Sequence, residues 1–140
     1  METREHIAGI TITNFEFGLL AKDQYGMYYV SKKTKSIPNI PGIHFGFIFS
    51  YENDMGKTVG HRWEMILPRE PKTAQTIDGS TDIEYLPGEN RVVSATFGLD
   101  TESSIQYSVN RIDPGDPSGR WVVEIYIGDQ LYRTVVFDVR

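Results

Sequence analysis

The sequence predicts an all-β chain folded as an antiparallel sandwich of seven to nine strands, and three observations carry that expectation. Helix periodicity is missing: no window of a dozen residues repeats apolar side chains at i, i+3, i+4 and i+7 without interruption by Gly, Pro or a β-branched run. Period-two alternation recurs along the chain and is strongest over 119–139, where two alternating segments flank a Gly128-Asp-Gln130 turn. Turn signals separate the alternating segments by about ten residues, the rhythm of a sandwich.

Each element follows from its own pattern. A first strand is expected over 7–20, with Ile10, Ile12, Asn14 and Glu16 alternating with Thr11, Thr13, Phe15 and Phe17, and with Gly9 and Gly18 permitting bends. After the Lys22-Asp-Gln-Tyr-Gly26 turn a second covers 28–33. Pro38 and Pro41 fix φ and withdraw amide donors, so 36–42 reads as an extended connector. A central strand over 43–51 places Ile43, Phe45, Phe47, Phe49 and Tyr51 on one face, and 58–67 does the same with Val59, His61, Trp63, Met65 and Leu67.

Pro68 and Pro71 then end pairing, and 72–79 reads as irregular or as a short edge strand. Weak alternation over 82–86, a Pro87-Gly88 turn and a strand over 91–99 follow, with Val93, Ala95 and Phe97 on a common face. A strand over 104–112 and the turn-dense loop Asp113-Pro-Gly-Asp-Pro-Ser-Gly119 lead into the closing hairpin. There Trp121, Val123, Ile125 and Ile127 share one face with Leu131, Arg133, Val135, Phe137 and Val139, which leaves Glu124, Tyr126 and Tyr132 outward.

Bulk properties bound the function. The 140 residues suit one domain, 1–140, large enough to bury roughly two thirds of its unfolded surface without staples. With 0 Cys the chain has no thiolate chemistry and no disulfide. A net charge of -5 disfavours the counterion-releasing contacts of nucleic-acid binding. No apolar stretch approaches the ~20 residues of a membrane span, so neither nucleic acid nor membrane is an expected partner. Met1-Glu-Thr-Arg-Glu-His6 lacks the basic and apolar regions of a signal peptide, which makes a cytoplasmic location the expectation.

With these strands in place, the chain resembles a bacterial family catalogued as a domain of unknown function. The matching residues are Phe15-Glu-Phe-Gly18, Pro41-Gly-Ile-His-Phe-Gly-Phe47, Gly119-x-Trp-x-x-Glu-Ile125, Gly128-x-x-Leu131 and Phe137-x-Val139. The resemblance implies an immunoglobulin-like β-sandwich and supplies no catalytic residue to transfer.

His6, His44 and His61 lack metal-ligand spacing, although His44 and His61 become neighbours if their strands pair. Asp78, Asp82 and Glu84, or Asp113 and Asp116, offer oxygens to Ca²⁺ without the required repeat, and turn chemistry explains the last two. Glu64 and Glu124 might have formed an acid/base pair beside Trp63 and Trp121, but alternation sends acids and rings to opposite faces. Lys22, Lys32, Lys33 and Lys35 either contact an anionic partner or, as the favoured reading in an acidic chain, guard an edge strand. No catalytic, cofactor-binding or metal residue is therefore assigned.

Tyr25, Tyr28, Tyr29, Tyr107, Tyr126 and Tyr132 form the remaining group, and Tyr126 and Tyr132 are the candidate partner-binding residues, expected side by side on the outer face of the hairpin. The expected function is a non-catalytic protein-binding module, engaging a protein partner or a second copy through loops at one end of the sandwich, through that face or through an edge strand. A small-ligand module for carbohydrate or peptide is the alternative.

Overall fold

Alternation of apolar and polar side chains drives these segments into strands, because each then buries one row and hydrates the other. The computed structural model describes residues 4–71, 83–86, 88–102 and 104–140, which contain twelve strands and no helix. One sheet is built from β1 (Arg4–Ile7), β2 (Ile10–Lys22), β3 (Tyr28–Lys33), β5 (His44–Asn53) and β10 (Ser104–Arg111). The second contains β4 (Ser36–Ile37), β6 (Val59–Ile66), β7 (Ile83–Leu86), β8 (Arg91–Ser94), β9 (Phe97–Leu99), β11 (Gly119–Ile127) and β12 (Gln130–Val139). The strand orders are β1-β2-β5-β10, with β3 also beside β2, and β4-β12-β11-β6-β8-β7, with β9 also beside β6.

The fold is thus the expected all-β sandwich, with two differences. Twelve strands replace seven to nine because long segments are broken: Ala8 and Gly9, both at positive φ, divide the first into β1 and β2, and Ser94 interrupts 91–99. The Ser94 hydroxyl accepts the Trp63 N–H at 2.9 Å and donates to the Ala95 carbonyl at 2.8 Å, displacing the ladder between β8 and β9. In addition, two residues of the proline connector form β4, which runs parallel to β12 through Ser36↔Asp138 and Ile37↔Val139. Burial of Ile37 in the core anchors that short strand, and hydrogen bonds from Arg140 N–H to the Ile37 carbonyl and from Asn39 N–H to the Arg140 carbonyl carry the contact past Pro38.

The core lies between the sheets. Phe45, Phe47, Phe49 and Tyr51 from β5 meet Trp63 and Met65 from β6, Trp121, Val123, Ile125 and Ile127 from β11, and Val135, Phe137 and Val139 from β12. Both tryptophans are interior, each 4% exposed. The Trp121 indole N–H donates to the Pro117 carbonyl at 2.9 Å, and its ring stands edge-on to Phe45 at 6.2 Å. Gly18 and Gly46 face each other across β2 and β5. A Cβ on either would fall 2.0 Å from the Lys32 carbonyl oxygen or 1.9 Å from that of Ser108, so the strands close up only around glycine.

Three irregularities reverse which side chains face inward. In β2 the register slips between Thr13 and Glu16, with Asn14 at φ 55°. Ile10 and Ile12 point to the core before the slip, Phe15 and Phe17 after it, so the single alternating row expected over 7–20 is two half-rows. Across the β8–β9 break Val93 pairs with outward Glu64 while Phe97 pairs with buried His61, so Val93, Ala95 and Phe97 do not share a face. In the hairpin Ile125 pairs with Arg133 but Tyr126 with Leu131, leaving Tyr132 as an extra residue. The expectations for 72–79, Asp78, Asp82, Pro87 and Ser103 lie outside the described residues.

Candidate partner-binding site

The hairpin irregularity separates the two tyrosines expected side by side. Tyr126 stays on the outer face of its sheet, where the Arg62 guanidinium lies 4.0 Å over its ring and the Glu124 carboxylate sits 3.5 Å from its hydroxyl. Burial, then the Glu124 and Glu64 charges, raise its phenol above the ordinary value. Tyr132, the extra residue, turns inward instead. Its ring meets Phe15 at 5.9 Å and Phe49 at 6.5 Å, and its hydroxyl donates to Glu5 Oε1 at 2.9 Å. Burial and that hydrogen bond push its phenol up to about 12, so it remains a donor at any physiological pH. The shared outward surface is therefore corrected: one inserted residue sends Leu131 out and Tyr132 in.

Glu64 and Glu124 stand directly opposite each other on β6 and β11, facing away from the tryptophans. Arg91 bridges them at 2.9 and 3.0 Å, and Arg62 also binds Glu64. Partial burial pulls the Glu64 carboxyl upward, but the hydrogen bonds from Arg62 and Arg91 outweigh it and hold Glu64 below its ordinary range. An ionised, arginine-clamped Glu64 has no proton to give, so it is not the raised general acid that glycoside cleavage needs.

The histidines are apart. β5 and β6 belong to different sheets, so His44 and His61 are not strand neighbours as the sequence allowed. His44 is exposed beside Tyr28, and His6 Nδ1 contacts Thr11 Oγ1 at 2.9 Å. His61 is fully buried among Phe47, Phe49 and Phe97; its Nδ1 donates to the Tyr126 carbonyl at 3.2 Å, next to the hairpin irregularity. Burial lowers its pKa to about 4, the hydrogen bond to Tyr126 opposing only in part. Asp113 and Asp116 are turn residues: the Asp113 N–H donates to Asp116 Oδ2 at 2.7 Å. Burial pushes the Asp116 carboxyl up to about 6 against that hydrogen bond. Among the described residues no three His, Asp or Glu side chains cluster around a common point.

What the sheets do create is an open seam. β12 pairs with β11 along its whole length but with β4 only at Asp138 and Val139. The Asp138 N–H donates away from β11, to the Lys35 carbonyl at 2.8 Å. By the two-residue repeat of an antiparallel ladder, the N–H and C=O groups of Thr134 and Val136 point the same way. No described strand lies alongside them. The exposed Thr134 and Val136 carry no charge to guard that edge.

Below this edge the chain crosses from β3 in one sheet to β4 in the other, and the divergence leaves a cleft of about 390 Å³. Phe15 and Phe17 form its floor, Lys33, Thr34 and Lys35 one wall, and Arg133, Thr134 and Val135 the other, with Glu16 between. Lys33 pairs with Glu16 at 3.3 Å and Arg133 with Glu5 at 2.5 Å. The Arg133 guanidinium also covers the Phe15 ring at 4.3 Å. The Lys35 ammonium has no carboxylate within 4.0 Å among the described residues. The lysine cluster thus borders an edge, as expected for Lys33 on β3, and two of its members also face this cleft. The open β12 edge is not legible in the residue pattern, because the divergence that opens it lies beside a two-residue parallel strand.

A family model described as the PM0630 beta sandwich domain matches residues 15–140. The chain belongs to that family. Among solved structures it is similar to an immunoglobulin-like protein from Pseudomonas aeruginosa, at 16% identity and a TM-score of 0.54, covering 91% of this chain and 92% of that one. At that identity the likeness shows the fold, an immunoglobulin-like β-sandwich. An alkylpurine DNA glycosylase from Pseudomonas fluorescens aligns at 12% identity and a TM-score of 0.46, over 90% of this chain and 30% of that one. No curated protein matches the chain.

Proposed function

We propose that this chain is a non-catalytic protein-interaction module that takes up an extended segment alongside β12. The observation that carries the reading is the row of backbone groups at Thr134 and Val136, turned away from β11 above a cleft deep enough for side chains. Strand addition at such an edge derives affinity from main-chain hydrogen bonds and specificity from the pockets that receive alternate side chains. Glu64, the best candidate for acid chemistry, is neutralised by arginines, which supports a binding role over a catalytic one. Tyr132 enters this reading by holding Glu5, which in turn holds Arg133 at the rim of the cleft. Tyr126 faces the other side of the sheet.

The test is selection of a display library of random linear dodecapeptides on the folded chain, followed by amide hydrogen exchange of the best binder's complex. New protection at Thr134 and Val136 is expected. Val136→Pro, which removes an outward donor and no ladder bond, should abolish binding with the fold intact by circular dichroism. Binders that protect other strands, or that tolerate Val136→Pro, overturn the proposal.

A further inference from the structure

We infer that the segment received at β12 is acidic at every second position, a conclusion that rests on the strand-addition reading above. A strand laid beside β12 presents alternate side chains to opposite faces. One set lies on the outer face beside exposed Val136 and Leu131, 44% and 51% accessible, and is matched by β-branched or aliphatic residues. The other set dips into the cleft, whose walls carry the cations Lys33, Lys35 and Arg133 against one carboxylate, Glu16.

Lys33 ends β3 and Lys35 sits at the bend before β4, so both cations stand at the crossing that walls the cleft. Lys35 has no competing carboxylate partner among the described residues. Lys33 is held by Glu16 in an ion pair whose side chains are 73% and 38% exposed, a contact weak enough to yield to an incoming acid. Arg133 is fixed by Glu5 and by the Phe15 and Tyr132 rings, so it offers a preset positive rim. A basic segment would meet the unpaired Lys35 and find Lys33 and Arg133 already holding Glu16 and Glu5, so it gains no free carboxylate there. The chain's overall charge of -5 makes this local reversal of sign selective, since the rest of the surface repels an acidic segment.

The probes are three fluorescein-labelled octapeptides that alternate Val with Glu, Gln or Lys, measured by fluorescence anisotropy at 25 and 300 mM NaCl. The Glu peptide is expected to bind roughly tenfold tighter than the Gln peptide at low salt, and to lose most of that margin at high salt. Lys33→Glu with Lys35→Glu should reverse the preference in favour of the Lys peptide, and Glu16→Gln should strengthen binding of the Glu peptide. Equal binding of Glu and Gln peptides, unmoved by the lysine reversals yet lost in Val136→Pro, overturns the acidic preference and leaves strand addition standing. Binding of the Glu peptide that Val136→Pro does not weaken overturns strand addition and this inference with it. No binding of any of the three by a folded chain overturns the inference as well, and the library selection above then decides the parent reading.

Discussion

β11 and β12 are two strands of one hairpin with equally strong alternation, yet they have different neighbours. β11 is paired on both sides, to β12 and to β6, and its inward row of Trp121, Val123, Ile125 and Ile127 is almost wholly buried. β12 matches that burial at Val135, Phe137 and Val139, but among the described strands one of its edges is unpaired for most of its length. The difference teaches that side-chain pattern fixes which face enters the core, whereas the number of neighbouring strands decides whether an edge is closed by a ladder or left open to the strand addition proposed above.

The comparison is sharpest for the core row of β11. Trp121→Ala should cost roughly 3–5 kcal/mol, since it deletes a buried ring and leaves a cavity. Urea unfolding measures this, and an unchanged midpoint would place the indole outside the core. Next is the latch between β6 and β11. His61 is neutral in the folded chain and titrates near 6.5 when unfolded, so stability is fully present above pH 6.5 and is lost as pH falls toward about 4, by roughly 3 kcal/mol. Asp116, in the loop before β11, acts with the opposite sign. Its folded value of about 6 lies above the unfolded one, so it adds stability as pH falls from 6 toward 4. Asp116→Asn should therefore steepen the acid loss, and urea midpoints at pH 7, 6, 5 and 4 that run parallel to wild type would contradict the assignment.

Val122 and Val136 are cross-strand partners and give the most direct contrast. Since Val136 points its amide outward, Val122 points its own toward β6. Val122→Pro should cost about 2 kcal/mol or more, by losing a ladder bond and orphaning its acceptor. Val136→Pro should cost under about 1 kcal/mol. Thermal melts compare them, and equal losses would mean that β12 is paired on both sides. The smallest effect is expected at the rim: Tyr132→Phe removes the hydrogen bond to Glu5 for about 1 kcal/mol. If acidic-peptide affinity also falls, Tyr132 positions Arg133 through Glu5; if stability and affinity both stay unchanged, the hydroxyl plays no part.

Much of this architecture is readable from residues. Phe45 to Tyr51, Val59 to Leu67 and Trp121 to Ile127 alternate without interruption, and the structure buries those rows as their pattern dictates. Phase is lost wherever one residue is inserted. Nothing about Asn14, Ser94 or Tyr132 announces a slip, because a β-bulge is chosen by cross-strand hydrogen bonding and packing among distant segments. The candidate site depends on two such long-range events, the inward turn of Tyr132 and the parallel contact of Ser36–Ile37 with β12. The lysines were visible as edge residues, but their relation to Arg133 arises only when 33–35 and 133–135 are brought together across the sandwich.

The parallel rung at Asp138 and Val139 has one more consequence. It closes one end of the open margin of β12, so under the strand-addition proposal an added chain would abut a fixed stop and could not slide past it. A blind-ended berth of this kind would admit a short guest in a defined register. It also denies neighbouring copies the continuous rail along which sheets grow into fibrils.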